Sequence, residues 1–160
     1  AFMIKTEFKK TIEYKERIKL IKLIVGVTIL INLIFDCVGL VSFLGLRKLD
    51  INIATIVLVS IILMSLLITS PFMVYTFSLV RKIHLIFEQL SKMYIFEYTL
   101  NFPIEHKYFQ SRYLISFNFN NRNYELMTYW IYDSNNLDSK KVAIGFIENL
   151  NSIYILEKIS

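Results

Sequence analysis

Two long apolar stretches in the first half of the chain constrain its fold more than any other feature. Between residues 23 and 46 the only charged side chain is Asp36, and between residues 51 and 80 there is none. Each stretch exceeds the roughly 20 residues that cross a hydrocarbon core of about 30 Å as a helix. A chain of 160 residues leaves too little sequence to bury two such helices in a soluble core. The sequence therefore predicts an integral membrane protein with a transmembrane helical hairpin over residues 23–80.

The distribution of lysine and arginine predicts the orientation of this hairpin. Seven basic residues precede the first stretch, Arg47 and Lys48 lie in the loop between the stretches, and Arg81 and Lys82 directly follow the second. The positive-inside rule then favours both termini on the cytoplasmic side, or its equivalent in an organelle. The expected location is a bacterial inner membrane or an organellar inner membrane.

Residues 1–22 form a basic amphipathic segment. Ile4, Phe8 and Ile12 recur every four residues, with lysines and glutamates between them. This spacing favours a short helix on the membrane surface, whose lysines meet anionic lipid headgroups. A solvated leader that only sets the topology is the alternative. From Arg81 onward nine basic residues oppose eight acidic ones, so no basic patch is evident and a nucleic-acid partner is not expected.

The polar and small residues of each apolar stretch gather on one helix face. At about 100° per residue, those of the first stretch fall within about one third of the circumference, and the second stretch repeats the arrangement. Small residues permit close helix approach in lipid, and polar side chains hydrogen-bond across the contact. The sequence predicts an antiparallel hairpin whose polar faces meet, and an intramembrane association face. Its members are Thr28, Asn32, Asp36, Gly39, Ser42, Ser65, Thr69 and Thr76.

Asp36 is the residue that hairpin packing does not explain. An aspartate near the bilayer centre costs about 2.5–3.5 kcal/mol on insertion scales, and the second stretch offers no basic side chain to neutralise it. Three interpretations remain open: a protonated residue tolerated in a self-contained hairpin, a contact in an oligomer or larger membrane complex, or an ion- or proton-conducting site.

The second half of the chain predicts a connector helix and a small β-rich cytoplasmic domain. Apolar residues at helical spacing favour a helix over residues 81–100. From Arg112 the period changes to two, which is typical of a half-buried strand, and Asn120 and Asn121 then supply a turn that tolerates positive φ. Four short strands follow one another in residues 101–160. The predicted fold class is thus a transmembrane α-helical hairpin plus a small α+β domain, with an antiparallel β-meander packed on the connector.

Aromatic side chains crowd this domain. They are Tyr108, Phe109, Tyr113, Phe117, Phe119, Tyr124, Tyr129, Trp130 and Tyr132. One interpretation is a small core built from large residues. The other is an exposed aromatic face that stacks a ligand or anchors a partner. Arg112 and Arg122, at the two ends of the first strand of the pattern, then become candidate contacts to a phosphate or carboxylate, together with Tyr129 and Trp130.

The sequence contains no motif typical of a catalytic or metal site. His84 and His106 stand apart, Cys37 is the single cysteine, and a zinc site needs at least three ligands at recognisable spacing. The four glycines form no phosphate-binding loop. We therefore expect a non-enzymatic protein without cofactors.

The last 50 or so residues carry one family resemblance. Val142, Ile144, Asn151, Ser152 and Ile155 fall in the frame of a strand–turn–strand pattern. In this the tail resembles small β modules of unknown function that accompany membrane spans in bacterial proteins, although the tyrosine and two prolines of those modules are missing here. The resemblance implies a β fold and no activity.

These features together predict a protein that works by association. The expected function is a membrane-anchored interaction or sensing module, similar in architecture to immunity proteins or antiviral effectors. Such a module self-associates or binds a membrane partner through the polar face of its first span. The alternative is an accessory subunit of a larger transport or respiratory membrane complex. The two differ in what accompanies the purified protein: more copies of itself, or several other chains.

Overall fold

The computed structural model of the chain describes residues 3–159. Residues 1 and 2 of the predicted N-terminal segment, and residue 160 of the predicted domain, lie outside this range. The described residues form two compact units. One is the helical hairpin, residues 19–82; the other is the β domain, residues 3–18 together with 83–159. Two long apolar helices followed by a small antiparallel β domain confirm the coarse fold prediction.

The helices are longer than the apolar stretches that predict them. Helix α1 spans Lys5–Phe8, α2 spans Ile12–Leu46 and α3 spans Ile51–Gln89, followed by a 3-10 turn over Leu90–Lys92. Asp50 starts α3, because its carboxylate accepts hydrogen bonds from the backbone N–H groups of Asn52 and Ile53 at 2.8 and 3.3 Å. Such an N-cap satisfies donors that the first helical turn leaves without partners. The short loop between α2 and α3 therefore has a well-defined end.

Within residues 83–159, eight short strands follow the helices. They are β1 Tyr94–Thr99, β2 Glu105–Lys107, β3 Gln110–Arg112, β4 Leu114–Phe119, β5 Arg122–Met127, β6 Ile131–Tyr132, β7 Lys141–Ile147 and β8 Ser152–Lys158. They pair in three antiparallel sheets with the orders β1-β7-β8, β2-β3-β6 and β4-β5. The prediction of a helix over residues 81–100 is wrong beyond Gln89, because residues 94–99 pair with β7 from Tyr94↔Phe146 to Thr99↔Lys141.

The sheets do not form the single meander that the sequence predicts. Strand β7 has β1 on one edge and β8 on the other, so it is central, and six of its seven residues are buried. A strand covered on both faces needs apolar residues at successive positions, which accounts for the unbroken run Val142–Ile147. The predicted strand after Arg112 corresponds to β4, and the predicted turn at Asn120 and Asn121 lies between β4 and β5.

Each face of this sheet packs against a separate apolar cluster. On one face Phe146 is fully buried beneath the partly buried rings of Phe117, Phe119 and Tyr124, whose centroids lie 4.8, 5.3 and 4.8 Å from it. This part of the predicted aromatic group is therefore core. The cluster on the other face contains Phe8, Ile86, Leu90, Met93, Ala143, Ile147, Tyr154 and Leu156.

The N-terminal segment differs from both interpretations given by its sequence. Phe8 is fully buried in the second cluster, and its ring makes edge contacts with Phe87 and Tyr154 at 5.9 and 6.4 Å. Ile12 packs on the first cluster, whereas Ile4 is 57% exposed. Phe8 thus covers the second apolar face of the sheet, whereas Ile12 packs against the cluster on the first face. The lysines of the segment are exposed.

A buried charge cluster joins the start of α2 to the β domain. The Glu13 carboxylate is fully buried, lies 2.9 Å from the Arg17 guanidinium and accepts a 3.4 Å hydrogen bond from the N–H of Ile155 in β8. The Arg17 guanidinium also lies over the Tyr129 ring, 4.4 Å from its centroid. Burial raises the pKa of Glu13, and the Arg17 charge offsets only part of that effect.

Two hairpin turns in the β domain share an uncommon backbone geometry. Asn120 and Asn121, between β4 and β5, have φ of 49° and 60°, which confirms the predicted turn. Tyr108 and Phe109, between β2 and β3, have φ of 50° and 62°. Asparagine tolerates the left-handed region, whereas a bulky side chain there costs on the order of 1–3 kcal/mol. Both rings are 80% exposed, so packing within the β domain does not explain them.

Replacing the aromatic turn should stabilise the β domain. We expect the double substitution Tyr108→Asn with Phe109→Gly, which installs the pair preferred in such turns, to raise the free energy of unfolding by about 1 kcal/mol. Fluorescence of the single tryptophan, Trp130, during chemical denaturation in detergent measures this change. Asn121→Gly in the other turn is the control and should change stability less. A loss of stability in the double variant would contradict the assigned strain.

The Glu13 cluster predicts a pH-dependent stability. Because its pKa is raised in the folded chain, Glu13 retains a proton at pH values where the unfolded chain has lost it. Folding stability should therefore fall as pH rises from about 4.5 through the raised pKa. Glu13→Gln should remove this dependence, so wild type loses stability relative to the variant between pH 4.5 and pH 8. The exposed Glu157→Gln serves as the control. If Glu13→Gln were instead less stable than wild type by the same amount at pH 4.5 and at pH 8, the ion pair with Arg17 would outweigh the effect of burial.

Candidate functional site: the polar face of the helical hairpin

The polar faces of α2 and α3 contact each other through Asn32 and Ser65. The Ser65 hydroxyl donates a 2.6 Å hydrogen bond to the Asn32 side-chain oxygen, and the Asn32 amide donates to the Thr28 carbonyl at 2.9 Å. Ser65 is 2% exposed and Thr69 is fully buried, with its hydroxyl bonded to the Ser65 carbonyl. Ser65 and Thr69 are therefore buried and hydrogen-bonded inside one hairpin, and Asn32 is bonded to both of its helices.

Gly39 provides the second close contact between the helices. A Cβ atom at this position would lie 3.1 Å from Cδ1 of Leu58 and 3.4 Å from Cγ2 of Ile61. Gly26 and Gly45, on the same helix, have no atom within 4 Å of the equivalent position. Gly39 alone among the three thus permits the close approach of α2 and α3, as expected of a small residue on a contact face.

Asp36 lies outside this contact. Its side chain is exposed, and no hydrogen bond or ion pair to it occurs within residues 3–159. Its neighbours one helical turn away are Asn32 and Leu33 on one side and Gly39 and Leu40 on the other. Asn32 and Gly39 face α3, whereas Leu33 and Leu40 are 55% and 56% exposed. Asp36 therefore sits at the margin of the helix contact, beside an apolar outer surface.

Thr28 and Thr76 line an open groove on the hairpin. The groove has a volume of about 380 Å³, and its other lining residues are Val25, Ile29, Met73, Phe77 and Val80. The Thr28 hydroxyl donates to the Ile24 carbonyl at 2.8 Å, and the Thr76 hydroxyl donates to the Phe72 carbonyl at 2.9 Å. Because both hydroxyls bond to their own helix, the groove presents an apolar surface. Ser42, the remaining residue of the predicted face, is partly exposed.

The predicted ligand contacts of the β domain do not converge on one site. The Arg112 guanidinium donates to the Thr128 carbonyl at 3.2 Å and to Glu105 at 3.3 Å, and lies 5.3 Å from the Trp130 ring centroid. Tyr129 stacks under Arg17 instead. Arg122 is exposed at the other end of the β4–β5 hairpin. Arg112 and Trp130 thus form one structural cluster, and the two arginines do not face a shared ligand.

One constellation in the β domain contains the residue types of a hydrolytic triad. The Ser111 hydroxyl donates to Asp133 at 2.7 Å, and His106 Nδ1 lies 3.1 Å from the same hydroxyl. In a nucleophilic triad the histidine receives the serine proton and the carboxylate orients the histidine. Here the serine is 3% exposed and its proton is directed at the carboxylate, so the cluster ties β2 and β3 to the residue that follows β6. Within residues 3–159, no group of three or more His, Cys, Asp or Glu side chains is placed to hold a metal ion.

The comparisons with known proteins give no relative: no protein-family model, curated protein or solved structure matches the chain. The resemblance of the tail to bacterial β modules therefore stays a prediction.

Sequence reasoning missed two features that the structure brings out. The Glu13–Arg17 pair has the helical i, i+4 spacing of an ordinary surface ion pair, and nothing local distinguishes it as buried. The Tyr108–Phe109 turn contains none of the residues that usually mark a turn. The feature that could have indicated this turn is the pair of polar segments on either side of it, Glu105–Lys107 and Gln110–Arg112.

The packing at Gly39 yields a matched pair of substitutions. Gly39→Leu should separate α2 from α3 and destabilise the hairpin by about 1–3 kcal/mol, the usual cost of overpacking a close contact. Gly26→Leu makes the same chemical change where there is open space, and should be neutral or stabilising. Thermal unfolding in detergent, followed by helical circular dichroism, compares the two. Equal behaviour of both variants would contradict the assigned role of Gly39.

Proposed function

We propose that this chain is a membrane-anchored association module whose helical hairpin crosses a lipid bilayer and binds a second copy of itself through Asp36. The observation that carries the proposal is the exposed carboxyl of Asp36, the only charged side chain between residues 23 and 46 of α2. The β domain is then the part of the module that meets water. The seven basic residues before the first apolar stretch, together with Arg81 and Lys82, favour the cytoplasmic side for both termini.

The exposed surface of the hairpin supports the membrane part of the proposal. The most apolar 18-residue stretches of α2 and of the second helix are only 6% and 11% buried within the chain. Large side chains such as Val41, Leu67 and Phe77 are 70%, 69% and 71% exposed. Soluble monomers rarely expose apolar patches of more than a few hundred Å², and the core helix of a soluble protein is mostly buried. A hydrocarbon solvent removes the cost of this exposure.

The position of Asp36 supports the association part. In a bilayer an aspartate near the centre of a span costs about 2.5–3.5 kcal/mol. Asn32, Ser65 and Thr69 are already hydrogen-bonded within the hairpin, and none of these bonds is made to Asp36. A second molecule is then the available source of a partner for Asp36. In a two-fold dimer each Asp36 meets the same face of the other copy, because such an interface is self-complementary.

A different membrane protein as the partner is the runner-up and corresponds to an accessory subunit of a larger complex. Asp36 then meets a polar or basic side chain of another chain. Purification from the native membrane in mild detergent distinguishes the two hypotheses. Self-association predicts particles whose mass is a multiple of 19.0 kDa, whereas the accessory-subunit version predicts several other chains in constant proportion.

Substitution of Asp36 tests the proposal directly. We expect wild type to form homo-oligomers in detergent, and Asp36→Leu to shift the population toward monomer. Loss of an interhelical hydrogen bond worth about 1–2 kcal/mol in lipid corresponds to an increase in Kd of about 5- to 30-fold. Asp36→Asn keeps a side chain that hydrogen-bonds and should retain association. Native mass spectrometry across a concentration series measures the stoichiometry.

Ser60→Leu is the matched control for the change in polarity. Ser60 is an exposed polar residue of α3, but its hydroxyl already donates to the Ile56 carbonyl at 2.8 Å. Its replacement should leave the oligomer unchanged. A wild-type protein that is monomeric at all concentrations, or an Asp36→Leu variant of unchanged size, would overturn the assignment of Asp36 as the contact.

A further inference from the structure

The tip of the β2–β3 hairpin departs from a rule that the rest of the chain follows. Seven residues other than glycine have positive φ within residues 3–159: Tyr108, Phe109, Asn120, Asn121, Asn136, Ser139 and Asn151. Five of them are small and polar, and suit that conformation. The two exceptions are adjacent and occupy one turn. A local rule that is broken without a packing gain points to a role outside the folded core.

The two rings at this tip are among the most exposed large side chains of the β domain. Tyr108 and Phe109 are each 80% exposed, and Phe102, before β2, is 81% exposed. The aromatic residues of strands β1, β4, β5 and β7 are buried, partly buried or less exposed. The Lys107 ammonium lies 5.3 Å from the centroid of the Tyr108 ring. The next residues along both strands, His106 and Gln110, are polar. The tip is thus a narrow aromatic wedge with a cation beside it.

The size of the wedge argues against a protein partner. A tyrosine and a phenylalanine bury about 150–250 Å² each, whereas a stable protein interface needs about 800 Å² per partner. On the two strands, polar residues flank the rings: His106 and Lys107 on β2, and Gln110 on β3. A fluid, deformable surface can contact such a small group of side chains more readily than a folded protein can. Lipid headgroups form such a surface, and aromatic and basic side chains are enriched where they meet water.

We propose that the Tyr108–Phe109 turn is a membrane-interface contact, in which both rings insert among lipid headgroups and Lys107 meets lipid phosphate. The proposal builds on the membrane anchorage of the hairpin proposed above, because that anchorage keeps the β domain close to a bilayer. The contact adds a second, reversible attachment beside the two helices. It also explains why the turn retains bulky residues in a conformation that asparagine adopts more readily.

Fluorescence quenching by brominated lipids tests this contact in the full chain. The protein is reconstituted into vesicles of phosphatidylcholine and phosphatidylglycerol, with Trp130→Phe as the background so that each probe is the only tryptophan. Phe109→Trp is the test probe. We expect lipids brominated near the headgroup end of the acyl chain to reduce its emission, relative to plain lipids of the same composition. Unchanged emission would overturn the proposal.

Two further tryptophan probes distinguish a failure of the tip contact from a failure of the membrane anchorage. Leu30→Trp replaces a side chain that is 57% exposed on α2, opposite the polar face, and reports whether the hairpin lies in the bilayer. Quenching at Leu30→Trp without quenching at Phe109→Trp overturns the contact and leaves the anchorage intact. No quenching at Leu30→Trp overturns the anchorage itself. Asn121→Trp places the probe on the other turn of the same geometry. Equal quenching at positions 109 and 121 would overturn the assignment of the contact to the aromatic tip.

Discussion

Water is a poor solvent for the surface that α2 and α3 present. Their mutual contact uses a narrow strip in which Asn32 meets Ser65 and Gly39 meets Leu58 and Ile61. Within residues 23–46 and 51–80, most other side chains face outward, and the majority of them are apolar. Under the proposed membrane anchorage, the exchange of water for hydrocarbon around this surface is the main free-energy term that stabilises the hairpin. In a bilayer the strip then supplies packing and hydrogen bonds, which are the forces that hold helices together there.

The role of Asp36 also depends on whether water or hydrocarbon surrounds the hairpin. On a soluble protein an exposed aspartate is an ordinary surface residue, since water solvates the carboxylate. On a helix surrounded by hydrocarbon no water solvates the same side chain, and its neighbour Asn32 is already bonded to Ser65 and to the Thr28 carbonyl. The proposed association through Asp36 and the proposed membrane anchorage are therefore linked. If water surrounded the hairpin, it would solvate Asp36, and Asp36 would need no protein partner.

Local patterns in the sequence predicted those parts of the structure that local interactions determine. The two apolar stretches, the strands from residue 114 onward and the Asn120–Asn121 turn follow from composition and period. Strand β1 was missed because its partner, β7, lies more than 40 residues away, and helical spacing up to Met93 concealed the change. Burial of Phe8 was missed for the same reason, since the sheet face that it covers is assembled from distant strands. Asp36 lies at the edge of the contact between α2 and α3. This could not be predicted, because a helical projection of α2 alone does not show how much of its surface α3 covers.

The environment of the hairpin is the most direct point at which to test the account. Cys37 is the only cysteine of the chain and is exposed on α2, next to Asp36. A nitroxide spin label attached there, in protein reconstituted into vesicles, reports collisions with oxygen and with a water-soluble nickel chelate by power-saturation electron paramagnetic resonance. The account predicts frequent collisions with oxygen, which concentrates in hydrocarbon, and few with the chelate. Frequent collisions with the chelate and few with oxygen would contradict it.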